Sequence, residues 1–280
     1  MKKVLPAFLC AAVLAFRPLP SSAFSPLAVA CARGDVLAVR ELLAGGENPN
    51  GYGPDGRPNG YTPLMHTIRS GLAAPLSMHL RIAELLLQAG ADVDARVPLE
   101  ASEKPGEEPG EEPQNSEETV TALHWAVAKG EKFLEMTLLL LENGADPNLP
   151  GILGRPLHVA AASKRARASH VELLLRWGAD ARLTNHRGVD PLAEAVTSAS
   201  PDPEKVRLLI GAGSDVNAMF DWDEFQGINV LMAAAINGPP EIVQALLDGG
   251  ARKYAVGGGG RTAFEYAVMK NREENAGLLR

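Results

Sequence analysis

Seven ten-residue stretches open in the same way and return at nearly regular distance, and no other feature restricts the fold as strongly. "SPLAVACARG" begins at Ser25, "TPLMHTIRSG" at Thr62, "TALHWAVAKG" at Thr121, "RPLHVAAASK" at Arg155, "DPLAEAVTSA" at Asp190, "NVLMAAAING" at Asn229 and "TAFEYAVMKN" at Thr262. Their starts lie 37, 59, 34, 35, 39 and 33 residues apart. Each is followed by a second apolar patch, such as "AELLLQAGADVDA", "VELLLRWGAD" or "VQALLDGGA". Recurrence of this kind means one supersecondary unit stacked on copies of itself.

Elementary chemistry makes each unit a helix pair. Thr or Ser supplies an N-cap oxygen, and Pro63 or Pro156 fits a first helical turn, where its missing N–H costs nothing. Leu and Ala at the third and sixth positions (Leu27 with Ala30, Leu123 with Ala126, Leu157 with Ala160) share one face, and the small Ala lets a neighbouring helix approach. The Leu run forms the second helix, and Gly46, Gly90, Gly144, Gly178, Gly213 and Gly250 end it. A chain that is 46% hydrophobic but only 5% aromatic must build its core from Leu, Ala and Val, as closely stacked short helices do. One such pair cannot bury its apolar face alone; stacked copies bury a continuous core, and the charged "KNREENAGLLR" suits an outer face.

The "TPLH", "LLL" and "GADVN" elements, recurring in order, resemble the ankyrin repeat, whose period is about 33 residues. The resemblance covers Ser25 to Arg280. It implies an all-α solenoid of stacked helix pairs with β-hairpin or loop fingers, about seven repeats long, as one domain over 24–280. It further implies protein binding rather than chemistry.

Departures from the period mark what the scaffold carries. The largest is an acidic insertion over 96–119, read as flexible, containing "EKPGEEPGEEPQ". Within Glu100 to Glu118 lie eight Glu and one Lys, so this segment's −7 equals the formal charge of the whole chain. It reads either as a solvated spacer or as a contact for a basic partner; calcium binding is disfavoured because EF-hand spacing is absent. Two shorter fingers follow the same logic. "GYGPDGRPNGY" contains Tyr52 and Arg57. "NAMFDWDEFQG" holds three of the chain's fourteen aromatic residues, Phe220, Trp222 and Phe225, among Asp221, Asp223 and Glu224. These aromatics suit an interface centre; the alternative is that they fold back over the neighbouring repeat. Arg33, Arg69, Lys129, Lys164 with Arg165, and Lys270 fall at the ends of the first helices. Such a basic ridge suits an acidic partner, although cations at helix C-termini are favourable by up to about 1 kcal/mol each without one.

The N-terminus reads as a secretory leader over 1–23: Lys2 and Lys3, then the 13-residue apolar run Val4 to Phe16, then "RPLPSSA" with cleavage after Ala23. A membrane-spanning helix needs about 20 residues, so no span is expected in the mature chain. Leu9 before Cys10 does not fit lipoprotein attachment. Cleavage removes Cys10 and leaves Cys31 without a partner in its own chain. The expected compartment is the periplasm, with secretion second.

Several motifs fail. Gly51, Gly53 and Gly56 spell G-x-G-x-x-G, but no βαβ unit surrounds them and Pro54 interrupts. "GGGGRT" lacks a phosphate-binding Lys. His124 and His158 occupy the repeat's "TPLH" position, where the family's His bonds around the helix start; Arg155 replaces the Thr partner of His158. His66, His79, His170 and His186 have no ligand spacing, and Cys31 sits at a small-residue core position. No catalytic residue, metal site or cofactor is expected, and no pair of nucleophile and base is suggested by spacing. Losing Lys2, Lys3 and Arg17 takes the charge to −10, which disfavours nucleic acid. The expected activity is therefore non-enzymatic binding of one protein through a concave face and the fingers, by a chain that is a monomer when unbound. Exported bacterial relatives suggest an immunity-type inhibitor of a periplasm-acting toxin, toward which the aromatic-acidic finger leans, or a helper protecting a periplasmic enzyme, including catalase in oxidative stress. A secreted effector forms a third class.

Overall fold

The computed structural model describes residues 25–51, 61–69, 74–98 and 119–280. The leader, Tyr52, Arg57 and residues 99–118 of the acidic insertion lie outside these. Contacts divide the described chain into two units, one reaching to Ile152 and the other running from Leu153 to Arg280.

The first unit contains α1 (Pro26–Arg33), α2 (Val36–Ala44), α3 (Pro63–Arg69), α4 (Leu76–Gln88), α5 (Ala122–Lys129) and α6 (Leu134–Glu142). A two-stranded ladder, β1 (Val97–Pro98) with β2 (Thr119–Val120), precedes α5. The second unit contains α7 (Pro156–Ala162), α8 (Ala168–Arg176), α9 (Pro191–Thr197), α10 (Pro203–Gly211), the hairpin strands β3 (Met219–Trp222) and β4 (Phe225–Asn229), α11 (Val230–Asn237), α12 (Pro240–Asp248), α13 (Ala263–Met269) and α14 (Glu273–Leu278). Within each unit, first helices pack on first helices and second helices on second helices. Two helical layers result, each pair burying what the sequence pattern assigned to it.

The local rules hold residue by residue. Ser25 Oγ, Thr62 Oγ1, Asp190 Oδ1 and Asn229 Oδ1 each accept from the N–H three residues on, at 2.8–3.2 Å. Leu27, Leu64, Leu123, Leu157, Leu192 and Leu231 are buried in register, and Cys31 is buried beside them. Burial pushes the Cys31 thiol up to about 12. All six helix-ending glycines take φ of 88–89°, a conformation in which a Cβ is strained.

The recurring Asp and Asn after those glycines join one finger to the next. Asp92, Asp146, Asp180 and Asp215 each accept from the N–H two residues on, closing Asx turns. Asn50 accepts from Asp92 N–H at 2.7 Å and donates to Gly90 O; Asn217 repeats both contacts on Arg252 and Gly250. His158 also keeps its local bond despite Arg155, because the partner is the Arg155 backbone N–H, at 3.3 Å from Nδ1. Its Nε2 then lies 3.0 Å from Val189 O on the following repeat.

Pairing of Val97 with Val120 and of Pro98 with Thr119 moves the edges of the expected 96–119 insertion inward, to 99–118. Val97 and Val120 are buried, so burial of one cross-strand pair ties this finger down.

Candidate functional site

The aromatic-acidic finger is a hairpin. Met219 pairs with Asn229, Phe220 with Ile228 and Trp222 with Phe225, and β4 holds one residue more than β3 between the last two pairs. Gly227, with φ of 55°, lies in that irregular stretch, and its N–H donates to Asp221 Oδ1 at 2.7 Å. Asp223 closes the turn with φ of 48°.

The three aromatics differ in burial. Phe220 is only 8% exposed and Ile228 is fully buried, so Phe220 is a core residue and offers little surface to a partner. Placing it with Trp222 and Phe225 as a binding residue is corrected on that ground: Phe220 follows the alternative reading and folds back onto the scaffold. Trp222 and Phe225 stay half exposed with ring centroids 6.0 Å apart. Phe225 also meets buried Tyr266 of α13 edge to face, at 5.5 Å.

A glycine finger flanks this hairpin. Gly258 N–H donates to Gly227 O at 2.8 Å, and Gly257 N–H to Arg261 O at 2.9 Å. A Cβ on Gly258 would stand 2.7 Å from Gln226 O, so only glycine allows this approach. Between hairpin, glycine finger and α13 lies an open groove of about 480 Å³, lined by Phe225, Tyr266, Met269, Glu224, Arg261 and Lys270 among others. Lys270 Nζ is 3.6 Å from Glu224 and 5.0 Å from the Phe225 ring centroid. Charge and aromatic surface therefore meet in one place, as in the centres of protein interfaces.

The remaining ridge residues separate into two kinds. Arg33 and Lys164 are exposed. Arg69 is half buried, its guanidinium 3.8 Å from the Tyr61 ring centroid and 5.5 Å from that of Trp125, and burial lowers its pKa. Lys129 Nζ donates to Arg69 O at 2.9 Å, so its charge serves a helix end.

Sequence reading missed a related device. Lys205, 3% exposed, places Nζ 2.7 Å from both Ala160 O and Ser163 O, at the C-terminus of α7 in the preceding repeat. Burial pushes its ammonium down to about 8. Asn275 Nδ2 reaches Ala235 O and Gly238 O at the end of α11 in the same way. The signal was present: Lys205 before Val206 and Asn275 before Ala276 stand where Ile82 and Ile242 precede Ala83 and Val243.

No group of three His, Cys, Asp or Glu suited to a metal comes together among the described residues. Burial, with the charge of Arg69, pushes His66 down to about 4, and the Cys31 thiol stays protonated.

The model of ankyrin repeats in three copies matches residues 13–97 and 192–280, and the single ankyrin-repeat model matches 120–152. The chain belongs to the ankyrin-repeat family. Residues 153–191, outside those matches, contain α7 and α8 and form a helix pair like the others. The ankyrin repeat domain of human ASB11 superposes with a TM-score of 0.65 at 24% identity, covering 91% of this chain and 98% of that one. The ankyrin repeat domain of Bcl-3, a member of the IkappaB protein family, gives 0.62 at the same identity and coverage. Both likenesses establish the ankyrin fold. The E3 ubiquitin-protein ligase KEG of Arabidopsis thaliana is 27% identical over 264 residues, 81% of this chain but 15% of that protein. Ankyrin repeats indicate a protein–protein interaction module, a scaffold that is typically non-enzymatic.

Proposed function

We propose that this ankyrin-repeat chain is exported to the periplasm and there binds one partner protein, without catalysis, along the edge formed by the β3–β4 hairpin and the glycine finger. One observation carries the reading. Phe220 with Ile228 already anchors the hairpin, yet Trp222 and Phe225 remain half exposed, and Phe225 lines a charged groove. Rigid aromatics beyond what the fold needs offer large contact area at small entropy cost. Export is supported by the composition of residues 1–23.

The test is capture from a periplasmic extract of the source organism, with the native chain beside a Trp222→Ala/Phe225→Ala variant shown by circular dichroism to be folded. One protein held by the first and lost by the second is the expected result. An identical set retained by both variants would remove the hairpin from the interface. A chain recovered from the cytoplasm with residues 1–23 still attached would end the periplasmic reading. The captured protein also separates the finer roles: an envelope-attacking enzyme silenced by binding means immunity, and a resident enzyme whose activity survives stress only when bound means a helper.

A further inference from the structure

We propose that the groove beside the hairpin receives a linear segment of the partner in which a bulky apolar side chain stands next to a carboxylate. This deepens the binding-module reading and rests on it. About 480 Å³ holds one or two side chains. Its aromatic lining is preformed: Tyr266 is buried and meets Phe225 edge to face, leaving the half-exposed Phe225 ring to take an apolar or aromatic group.

Charge decides what stands beside that group. Three charged side chains line the groove, but Glu224 and Lys270 neutralise each other at 3.6 Å, with Lys270 also drawn over Phe225. Arg261 is left, exposed and without an ion-pair partner among the described residues. Glu265, which feels the Arg261 charge, is taken by Thr262, whose N–H and Oγ–H both donate to Oε2, at 2.7 and 3.0 Å. A planar guanidinium with free N–H groups selects a carboxylate through two parallel hydrogen bonds. Gly258 and Gly259 add a wall of bare backbone, which lets a peptide main chain approach closely; a Cβ on Gly259 would stand 3.1 Å from Tyr266 Oη.

The experiment is a titration of the ¹⁵N-labelled full chain with acetyl-Gly-Phe-Asp-Gly-amide, read on the amides of Gly227, Gly258 and Gly259. Matched peptides carry Phe-Asn, Phe-Lys and Ala-Asp in the central positions. Saturable shifts at these three amides with Phe-Asp, about tenfold weaker binding with Phe-Asn or after Arg261→Gln, and no saturation with Ala-Asp are expected. Equal affinity for Phe-Asp and Phe-Asn, preference for Phe-Lys, or shifts confined to other parts of the chain would overturn the proposal. Arg261 is exposed, so its replacement leaves the core untouched. A captured partner that Arg261→Gln holds as tightly as the native chain does would discard the groove and leave the binding module standing. Loss of capture by Trp222→Ala/Phe225→Ala but not by Arg261→Gln would overturn the carboxylate contact, and the proposal with it, while leaving the hairpin as the binding edge.

Discussion

The two units each carry a hairpin and a lysine at a helix end, and the pairs differ in instructive ways. Val97 with Val120 anchors one hairpin, and Phe220 with Ile228 anchors the other; all four residues are buried. Beyond the first pair the sequence turns to Glu, Pro and Gly. Beyond the second come Trp222 and Phe225, which pair with each other, and Phe225 lines a groove. One buried cross-strand pair is thus enough to hold a finger, and whatever follows is available for other use. The lysines repeat the contrast. Lys129 is half exposed and reaches the Arg69 carbonyl; Lys205 is buried and reaches those of Ala160 and Ser163.

The comparison breaks if the anchors are not what holds the hairpins. Phe220→Ala should cost about 3–4 kcal/mol in urea unfolding, as large-to-small core changes do. Val97→Ala, which removes two methyl groups, should cost about 1.5 kcal/mol. A Phe220→Ala effect no greater than that of Val97→Ala would return Phe220 to the surface.

Lys205→Ala should follow at about 2–3 kcal/mol, because the buried carbonyls of Ala160 and Ser163 lose their donor; Lys129→Ala should cost about 1 kcal/mol. A pH series sharpens this contrast. The unfolded Lys205 titrates near 10.5 and the folded one near 8, so between those values the unfolded chain holds the extra proton. Stability contributed by this group therefore rises with pH through the window from 8 to 10.5. A Lys205→Met chain should lack that rise, and an unchanged slope in the variant would refute the assignment.

Gly258→Ala should cost about 1–2 kcal/mol, since its Cβ would press on the Gln226 carbonyl and force the two fingers apart. The check is loss of hydrogen-exchange protection at Gly258 N–H, which bonds to Gly227 O. Full protection in the variant would mean that the fingers yield without separating.

Much of this fold was legible because each repeat writes its own rules locally. Thr62, Pro63, Leu64 and Gly90 act within one helix pair, so cap, start, face and stop can be read from one stretch of sequence. The seven starts and the six left-handed glycines were found that way. Contacts between repeats were not legible. Lys205 meets Ala160 across 45 residues, and the groove draws on 224–226, 258–261 and 266–270, segments with no shared pattern. Phe220 is buried where it pairs with Ile228 on the other strand, a contact that the aromatic-acidic stretch alone does not reveal. The acidic run dominates the charge count without revealing what it meets.

The smallest stability change is expected at Trp222, and for that reason it tests the comparison most directly. If the hairpin is held by Phe220, Ile228 and the Gly258–Gly227 bond, removing a half-exposed ring should alter unfolding by under about 0.5 kcal/mol, as surface substitutions generally do. If the same ring belongs to a binding edge, its loss should weaken partner binding by about tenfold or more, because interface aromatics carry a disproportionate share of the energy. Calorimetry of Trp222→Ala with the captured partner, beside urea unfolding of the same variant, measures both. A large loss of stability would make Trp222 part of the anchor after all. Unchanged affinity would leave the hairpin as scaffold, no more specialised than the Val97–Val120 stem.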